Sequence, residues 1–327
     1  MTFDLGEALI KSVIIIVFLL TGFAYMTLFE RRAVARLQGR LGPNRVGPAG
    51  LFQPIADGVK LVLKEQLTPR DAVLPIYWIA PAISGVVAFL SFAVIPVGPA
   101  FEVGGRTIQP WLADVSIGIL YILAITSLGI YGIVLGGWAS GNKYSLIGAI
   151  RSSAQMISYE LSLGLSVLGV VMLAGTLSLT QIVEAQKQVW FLIPQALGAI
   201  VYFIAGIAET NRAPFDLPEA EQELVAGYHT EYSGLRFTLY FMAEYINMIT
   251  VSAIATTLFL GGWWGPFAPG PWWFLIKVAA LLFVYIWLRA TLPRLRYDQL
   301  MRFGWLVLLP LAVLNVGVTA VAVVFWG

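Results

Sequence analysis

The chain contains no cysteine, so it offers no thiolate ligands to an iron–sulfur cluster, no attachment point for c-type haem and no disulfide. Its single histidine, His229, cannot supply the paired axial ligands of a membrane b-type haem. No Walker A sequence occurs, and no GxGxxG opens a βαβ unit. If the protein serves redox chemistry, the electron carriers belong to partners. Charge is scarce as well: Asp, Glu, Lys and Arg make up 12% of the chain, where a soluble domain carries roughly a quarter.

What fills the space is apolar, with 59% hydrophobic residues. About 20 consecutive apolar residues cross the hydrocarbon core as an α-helix. Such runs predict eight spans, at residues 7–30, 74–96, 112–136, 154–175, 190–208, 237–260, 272–290 and 303–326. They are continuous rather than alternating, which favours helices over a barrel. The expected fold is an all-α polytopic membrane protein, a single transmembrane domain over residues 1–327. The first span lacks a small-residue cleavage site and runs into Glu30-Arg31-Arg32, so it reads as a retained helix.

Positive charge sets the orientation. Loops 31–73, 137–153, 209–236 and 291–302, with Arg289 at the edge, hold 8, 2, 2 and 4 of the 20 Lys and Arg residues. The opposite side has only Arg106 and Lys187, while Lys11 and Lys277 sit within spans. That bias places these loops in the cytoplasm and both termini outside.

Two cytoplasmic loops carry signal. In loop 31–73, Gly-Pro pairs at 42–43 and 47–48 fix turns. After them Phe52, Ile55, Ala56, Val59 and Val62 recur at helical spacing, with Asp57, Lys60 and Lys64 on other faces. An amphipathic helix on the membrane surface is predicted, with Pro54 in its first turn. It serves as an anchor, or as the lip of an entrance for a lipid-soluble ligand. Loop 209–236 belongs to the segment Ala208–Phe237, which holds Glu209, Asp216, Glu219, Glu221, Glu223 and Glu231, six of the chain's 18 acidic residues, together with His229. Pro214 and Pro218 preclude a regular helix over 209–218. A short helix from Glu219 would set Glu219 and Glu223 on one face and Glu221 on another. The loop acids are expected beside solvent or a hydrated chamber.

Carboxylates also enter the spans. Glu30 closes the first, Glu160 lies about two turns into the fourth, Glu209 closes the fifth and Glu244 lies about two turns into the sixth. A carboxylate in hydrocarbon costs several kcal/mol or takes a proton, so it usually faces the bundle interior. One alone reads as an interhelical hydrogen bond. Four in the cytoplasmic half, beside an acidic loop, favour a proton-carrying or charge-sensing network. The Pro/Gly-rich segment 261–273, with its tryptophans, reads as a structural turn on the outer side. No inverted internal repeat is evident.

Several long blocks now come together: ERR at 30–32, QGRLGPNRVGPAGLFQPIADGVKL at 38–61, RSSAQMISYE at 151–160, AETNRAPFDLPEAEQELVAGYHTEYSG at 208–234 and RATLPRLRYDQLM at 289–301. In this order they closely resemble the H-type membrane subunits of NADH:quinone oxidoreductase, respiratory complex I, whose mitochondrial counterpart is the first organelle-encoded membrane subunit. The resemblance implies a subunit joining membrane arm to peripheral arm, with its first, fifth and sixth helices and first cytoplasmic loop walling a quinone chamber. Quinone is then the substrate, and FMN and iron–sulfur clusters sit in partner subunits, with no flavin, haem or cluster in this chain. Glu30, Arg31, Asp57, Lys60, Arg212, Asp216, Glu219, Glu221 and Glu223 are implied to line the chamber or its acidic funnel. Glu160, Glu209 and Glu244 are implied to be inner carboxylates that begin a proton relay. The implied partners are the peripheral-arm quinone-site subunits, neighbouring membrane-arm subunits and lipid, with no nucleic acid, and the implied location is a bacterial cytoplasmic membrane. The alternative is the homologous membrane subunit of an energy-converting hydrogenase or ferredoxin-linked complex. A stand-alone antiporter is disfavoured by the missing repeats, and a bare anchor by Glu160 and Glu244.

Overall fold

A computed structural model describes residues 5–103, 106–216 and 226–326. The described chain is mostly helical, with seven helices long and apolar enough to cross a membrane. Helix α1, Leu5–Leu37, has 33 residues, a length of roughly 50 Å against a hydrocarbon core of about 30 Å. It therefore does not end at Glu30. Residues 30–37 are helix formers apart from Val34, and the first breaker is Gly39, whose positive φ of 70° turns the chain. Helix α2, Gln53–Leu63, is the amphipathic segment the spacing predicts; Pro54 lies in its first turn and none of its residues is buried.

Helix α3 spans Leu74–Phe92, and a hairpin of β1 (Phe101–Val103) and β2 (Arg106–Ile108) follows. This small antiparallel pair interrupts an otherwise helical chain; its strands are too short to leave a periodic signal. Helix α4, Gly118–Ala139, leads by a tight turn into α5, Lys143–Ala174. The expected loop at 137–153 is thus mostly the first turns of α5. Asn142 caps that helix by accepting from the Tyr144 backbone N–H at 2.8 Å, and Gly175 ends it in the left-handed conformation. Arg151 and Ser152 imitate a loop in the sequence, yet Ser152 is buried against protein rather than lipid, as is Gln155 one turn on.

After the short α6, Leu179–Ala185, comes α7, Ala196–Glu209, with 14 residues and about 21 Å of rise. It starts later than the expected span because Pro194 lacks the N–H a helix needs, leaving 191–195 in turns. Helix α8, Gly234–Phe259, is the hub, buried along most of its length among α1, α3, α6 and α7. The Leu192 N–H donates to Phe259 O at 2.8 Å, and Gly206 packs on Val251, so α7 runs antiparallel beside α8. Helix α9, Pro271–Thr291, is followed by α10, Tyr297–Phe303, a π-helical segment at Gly304–Leu308 and α11, Leu309–Trp326. Pro293 accounts for the break between α9 and α10.

Charges within the spans are satisfied locally. Lys277 Nζ donates to the carbonyls of Leu260, Gly262 and Trp264 at 2.5, 3.0 and 2.5 Å, placing a cation at the carboxyl end of α8. Lys11 pairs with Glu7 one turn earlier, 2.6 Å apart. Close helix approach depends on missing side chains. A Cβ at Gly148 of α5 would stand 2.8 Å from Gly227 Cα, so this glycine lets the segment after the acidic loop lie directly on α5.

Candidate functional site

Two arginines and two glutamates meet where α1, α8 and α9 converge on the turn after α7. Glu30 of α1 is 6% exposed. It accepts a hydrogen bond from Tyr245 Oη at 2.6 Å and another from Arg289 of α9, and it lies 3.5 Å from Arg212 Nη1. Arg212 Nε stands 2.7 Å from Glu244 Oε1, and the guanidinium lies 4.1 Å from the centre of the Tyr245 ring. Two carboxylates and two guanidiniums make the cluster neutral, which is the condition for keeping such charges away from water. Burial opposes the charge on Arg212, but Glu244, Tyr245 and Glu30 outweigh it and hold its pKa above the ordinary arginine value.

The chain bends to deliver Arg212. After Glu209 the helix ends in turns, with Asn211 in the left-handed region at φ 52°. The buried Gln155 amide donates to Ala208 O at 2.7 Å and Phe215 O at 2.8 Å. Phe215 packs on Tyr159 and Phe303. Asp216 then pairs with Arg294 at 3.0 Å and is 5% exposed, so this chain's own linker covers it. The reason is local: Leu295 N–H donates to Pro214 O, drawing the 292–296 linker across the turn.

Behind the cluster lies a partly open cavity of about 70 Å³ between α3, α4, α5, α7 and α8. Glu209 and Glu244 both line it, with Thr210, Asn247, Thr250 and Tyr240 among its polar walls. Asn247 Oδ1 and Thr250 Oγ1 are buried without a hydrogen-bond partner among the described residues, so the cavity offers polar atoms to water. Glu160 is half-buried on α5, accepts from Ser127 of α4 and lies close enough to Glu209 for their charges to interact. Because α5 starts at Lys143, Glu160 is near mid-helix rather than two turns in.

A separate group sits at the surface. Arg31 Nη1 donates to Asp57 Oδ2 at 2.7 Å, Gln53 donates to Asp57 Oδ1 at 3.1 Å, and Lys60 Nζ lies 3.9 Å from Asp57 Oδ1. These contacts tie α2 to the end of α1, with Phe52, Ile55, Val59 and Val62 left exposed. Glu219, Glu221 and Glu223 lie outside the described residues. The carboxyl side of their loop is held by a tyrosine block: Tyr77 donates to Glu231 O at 2.7 Å, and its ring stacks on Tyr232 with centroids 4.3 Å apart. Burial pushes the Tyr232 phenol up to about 12.

This arrangement of buried, compensated carboxylates beside an apolar surface helix accompanies a match at nearly full length. A family model described as NADH dehydrogenase covers residues 10–320. The chain belongs to the NADH dehydrogenase family. The NADH-quinone oxidoreductase H subunit of Protochlamydia amoebophila is 56% identical over 300 residues, covering 92% of this chain and 92% of the relative. The protein of the same name in Thermomicrobium roseum is 57% identical over 314 residues, covering 93% and 92%. The first of the H subunits of Geobacter metallireducens is 52% identical over 316 residues, covering 97% and 96%.

In this member of the NADH dehydrogenase family, the residues implied by the sequence regroup. Glu30 and Glu244, assigned to chamber and relay respectively, share Arg212. Arg31, Asp57 and Lys60 stay together, and Asp216 stands apart with Arg294. Sequence reasoning misses Tyr245, Arg289, Arg294 and Ser127 as site residues. Of these, Arg289 carries a signal, being a cation at the edge of a span.

Proposed function

We propose that this chain is the H subunit of a proton-translocating NADH-quinone oxidoreductase, walling the membrane quinone chamber and coupling quinone reduction to the membrane arm. The observation that carries the reading is the Glu30–Arg212–Glu244 cluster, one carboxylate of which opens onto the inner cavity shared with Glu209. The names and identities of the relatives support the parent complex. Quinone is the substrate, and FMN and iron–sulfur clusters in partner subunits deliver the electrons.

The chemistry follows from charge. A quinone that accepts two electrons also takes up two protons to become quinol. Glu30, Arg31, Asp57, Lys60, Arg212 and Asp216, together with Glu219, Glu221 and Glu223, border the chamber or its funnel. The exposed apolar residues of α2 lie at the chamber mouth. Negative charge developing on the quinone attracts Arg212 and Arg289. As that attraction loosens their hold on Glu30 and Glu244, the carboxylates gain proton affinity, because an uncompensated buried anion favours its neutral form. Glu244 exchanges its proton through the polar cavity with Glu209, and Glu160 continues the relay towards neighbouring membrane-arm subunits.

The chain crosses a bacterial cytoplasmic membrane eight times as one transmembrane domain, with both termini outside. Residues 190–209 make the remaining crossing, fifth in chain order: α7 is short, but it runs antiparallel beside α8, with Leu192 at Phe259 and Gly206 at Val251. Cysteines placed singly at Glu65 and Phe267, both exposed, are expected to react with membrane-impermeant maleimide from opposite sides, Glu65 from the cytoplasm. Labelling of both from one side would overturn the topology.

Co-purification tests the function itself. Extracted in mild detergent from its native membrane, the chain is expected to bring down flavin- and cluster-bearing subunits that reduce quinone with NADH. Companions that reduce protons and leave quinone untouched would contradict the reading.

A further inference from the structure

Gln155 sits in the first half of α5 with 0% exposure, five residues before Glu160. Its Nε2 reaches three acceptors on the turn that follows α7: Ala208 O at 2.7 Å, Phe215 O at 2.8 Å and Asn211 Oδ1 at 3.3 Å. One amide thereby grips both ends of the bend that carries Glu209 and Arg212. Its orientation is fixed by chemistry, since the flipped amide would set Oε1 against two carbonyl oxygens. One helical turn further along α5, Tyr159 packs on Phe215 and donates to Leu300 O at 2.9 Å, closing the other side of the bend.

A second buried glutamine shows what a structural staple looks like. Gln186 donates to Ile182 O and Thr257 O and accepts from the Phe191 and Gly261 N–H groups, so both ends of its amide are used. Gln155 differs, because its Oε1 is buried with no partner among the described residues. A protein that only needed the fold held there would gain by pairing that oxygen, since an unmet buried acceptor costs stability.

We propose that Gln155 is a positioning residue for coupling: by donating to Ala208 O and Phe215 O it sets the bend that holds Arg212 between Glu30 and Glu244 and Glu209 at the inner cavity. This rests on the coupling function proposed above. Gln155 touches no quinone; it acts through the bend, so its loss lowers kcat for quinone reduction while KM for a short-chain quinone holds.

The test uses the whole complex carrying Gln155→Leu or Gln155→Glu, with NADH oxidation by an artificial acceptor upstream of quinone reporting assembly. Leucine keeps the bulk and removes both donors. Its quinone-linked kcat is expected to fall roughly tenfold or more, with KM changed less than about twofold, as for a misplaced but intact reactive group. Glutamate keeps one donor when neutral, and when ionised it sets a charge against two carbonyls. Its kcat is expected to approach the parent's at acid pH and to drop as pH rises. Tyr159 and Glu160 on α5, and Glu209, Arg212 and Asp216 on the bend, are common to both proteins. The difference between the two profiles therefore reads the introduced carboxyl.

If Gln155→Leu fails to assemble, the Gln155→Glu profile still decides. Parallel pH profiles for variant and parent, or a leucine variant within about twofold of the parent kcat, would overturn the proposal. Glutamine replacements at Glu160 and Glu209, run alongside, separate the two ideas. If those variants lose turnover while Gln155→Leu does not, only the positioning role fails; if none loses turnover, the coupling reading fails.

Discussion

In an Arg212→Met variant, quinone-linked NADH oxidation is expected to fall to a small fraction of the parent rate, with much of the complex failing to assemble. Methionine fills similar space but takes the Arg212 guanidinium away from Glu244 and leaves Glu30 with Arg289 and Tyr245. Removing one partner of a buried ion pair costs about 3–5 kcal/mol, a large part of a domain's net stability. Lysine is expected to rescue poorly, since one ammonium cannot reproduce a guanidinium that spans Glu30 and Glu244 and lies over the Tyr245 ring. A compensated triple variant separates stability from function. Adding Glu30→Gln and Glu244→Gln to Arg212→Met removes the carboxylate charges as well and should restore assembly, while turnover stays low. Thermal stability and quinone reductase rate, measured on the same preparations, check both halves. Parent-like values for Arg212→Met would show that the cluster is dispensable for both assembly and turnover.

Glu160→Gln combined with Glu209→Gln is expected to cost the assembled complex about a hundredfold or more in quinone-linked turnover, within the range of about 10²–10⁴ that a positioned proton-transfer group contributes. Glutamine matches the shape and can still accept from Ser127 through its carbonyl, so helix packing is kept. It cannot carry a proton on and off. Aspartate at either position retains an ionisable group on a shorter arm and is expected to recover part of the rate. Electron transfer from NADH to an artificial acceptor persists in every case, because the carriers lie in other subunits. If these carboxylates served only as interhelical hydrogen bonds, the double variant would turn over at the parent rate.

The elements that sequence patterning locates well are those whose signal is local. The apolar repeat Phe52, Ile55, Val59 and Val62 marks α2 without help from the rest of the chain. Pro214 stops helix formation after Glu209 wherever the turn packs. Helix ends are misread where tertiary burial changes the meaning of a residue. Arg151 and Ser152 look like a loop but belong to the first turns of α5, and α1 runs past Glu30 because nothing there breaks a helix. The site is legible as a set of carboxylates and much less as a set of pairs. Glu30 finds Arg289 at a sequence separation of 259 and Arg212 at 182, and no local pattern encodes such contacts. Asp216 reads as one of the loop acids beside solvent or a hydrated chamber; Arg294, which pairs with it, comes from the linker after α9 and leaves no local signal.

Proton pumping by the Glu160→Gln, Glu209→Gln complex in proteoliposomes tests coupling through this chain most directly. Protons moved per NADH oxidised by quinone are counted against the parent in the same vesicles. If the carboxylates relay quinone chemistry to the membrane arm, the residual turnover moves fewer protons per electron pair and sustains a smaller potential. A double variant that matches the parent in both rate and protons per NADH would contradict the claim and remove these residues from the mechanism.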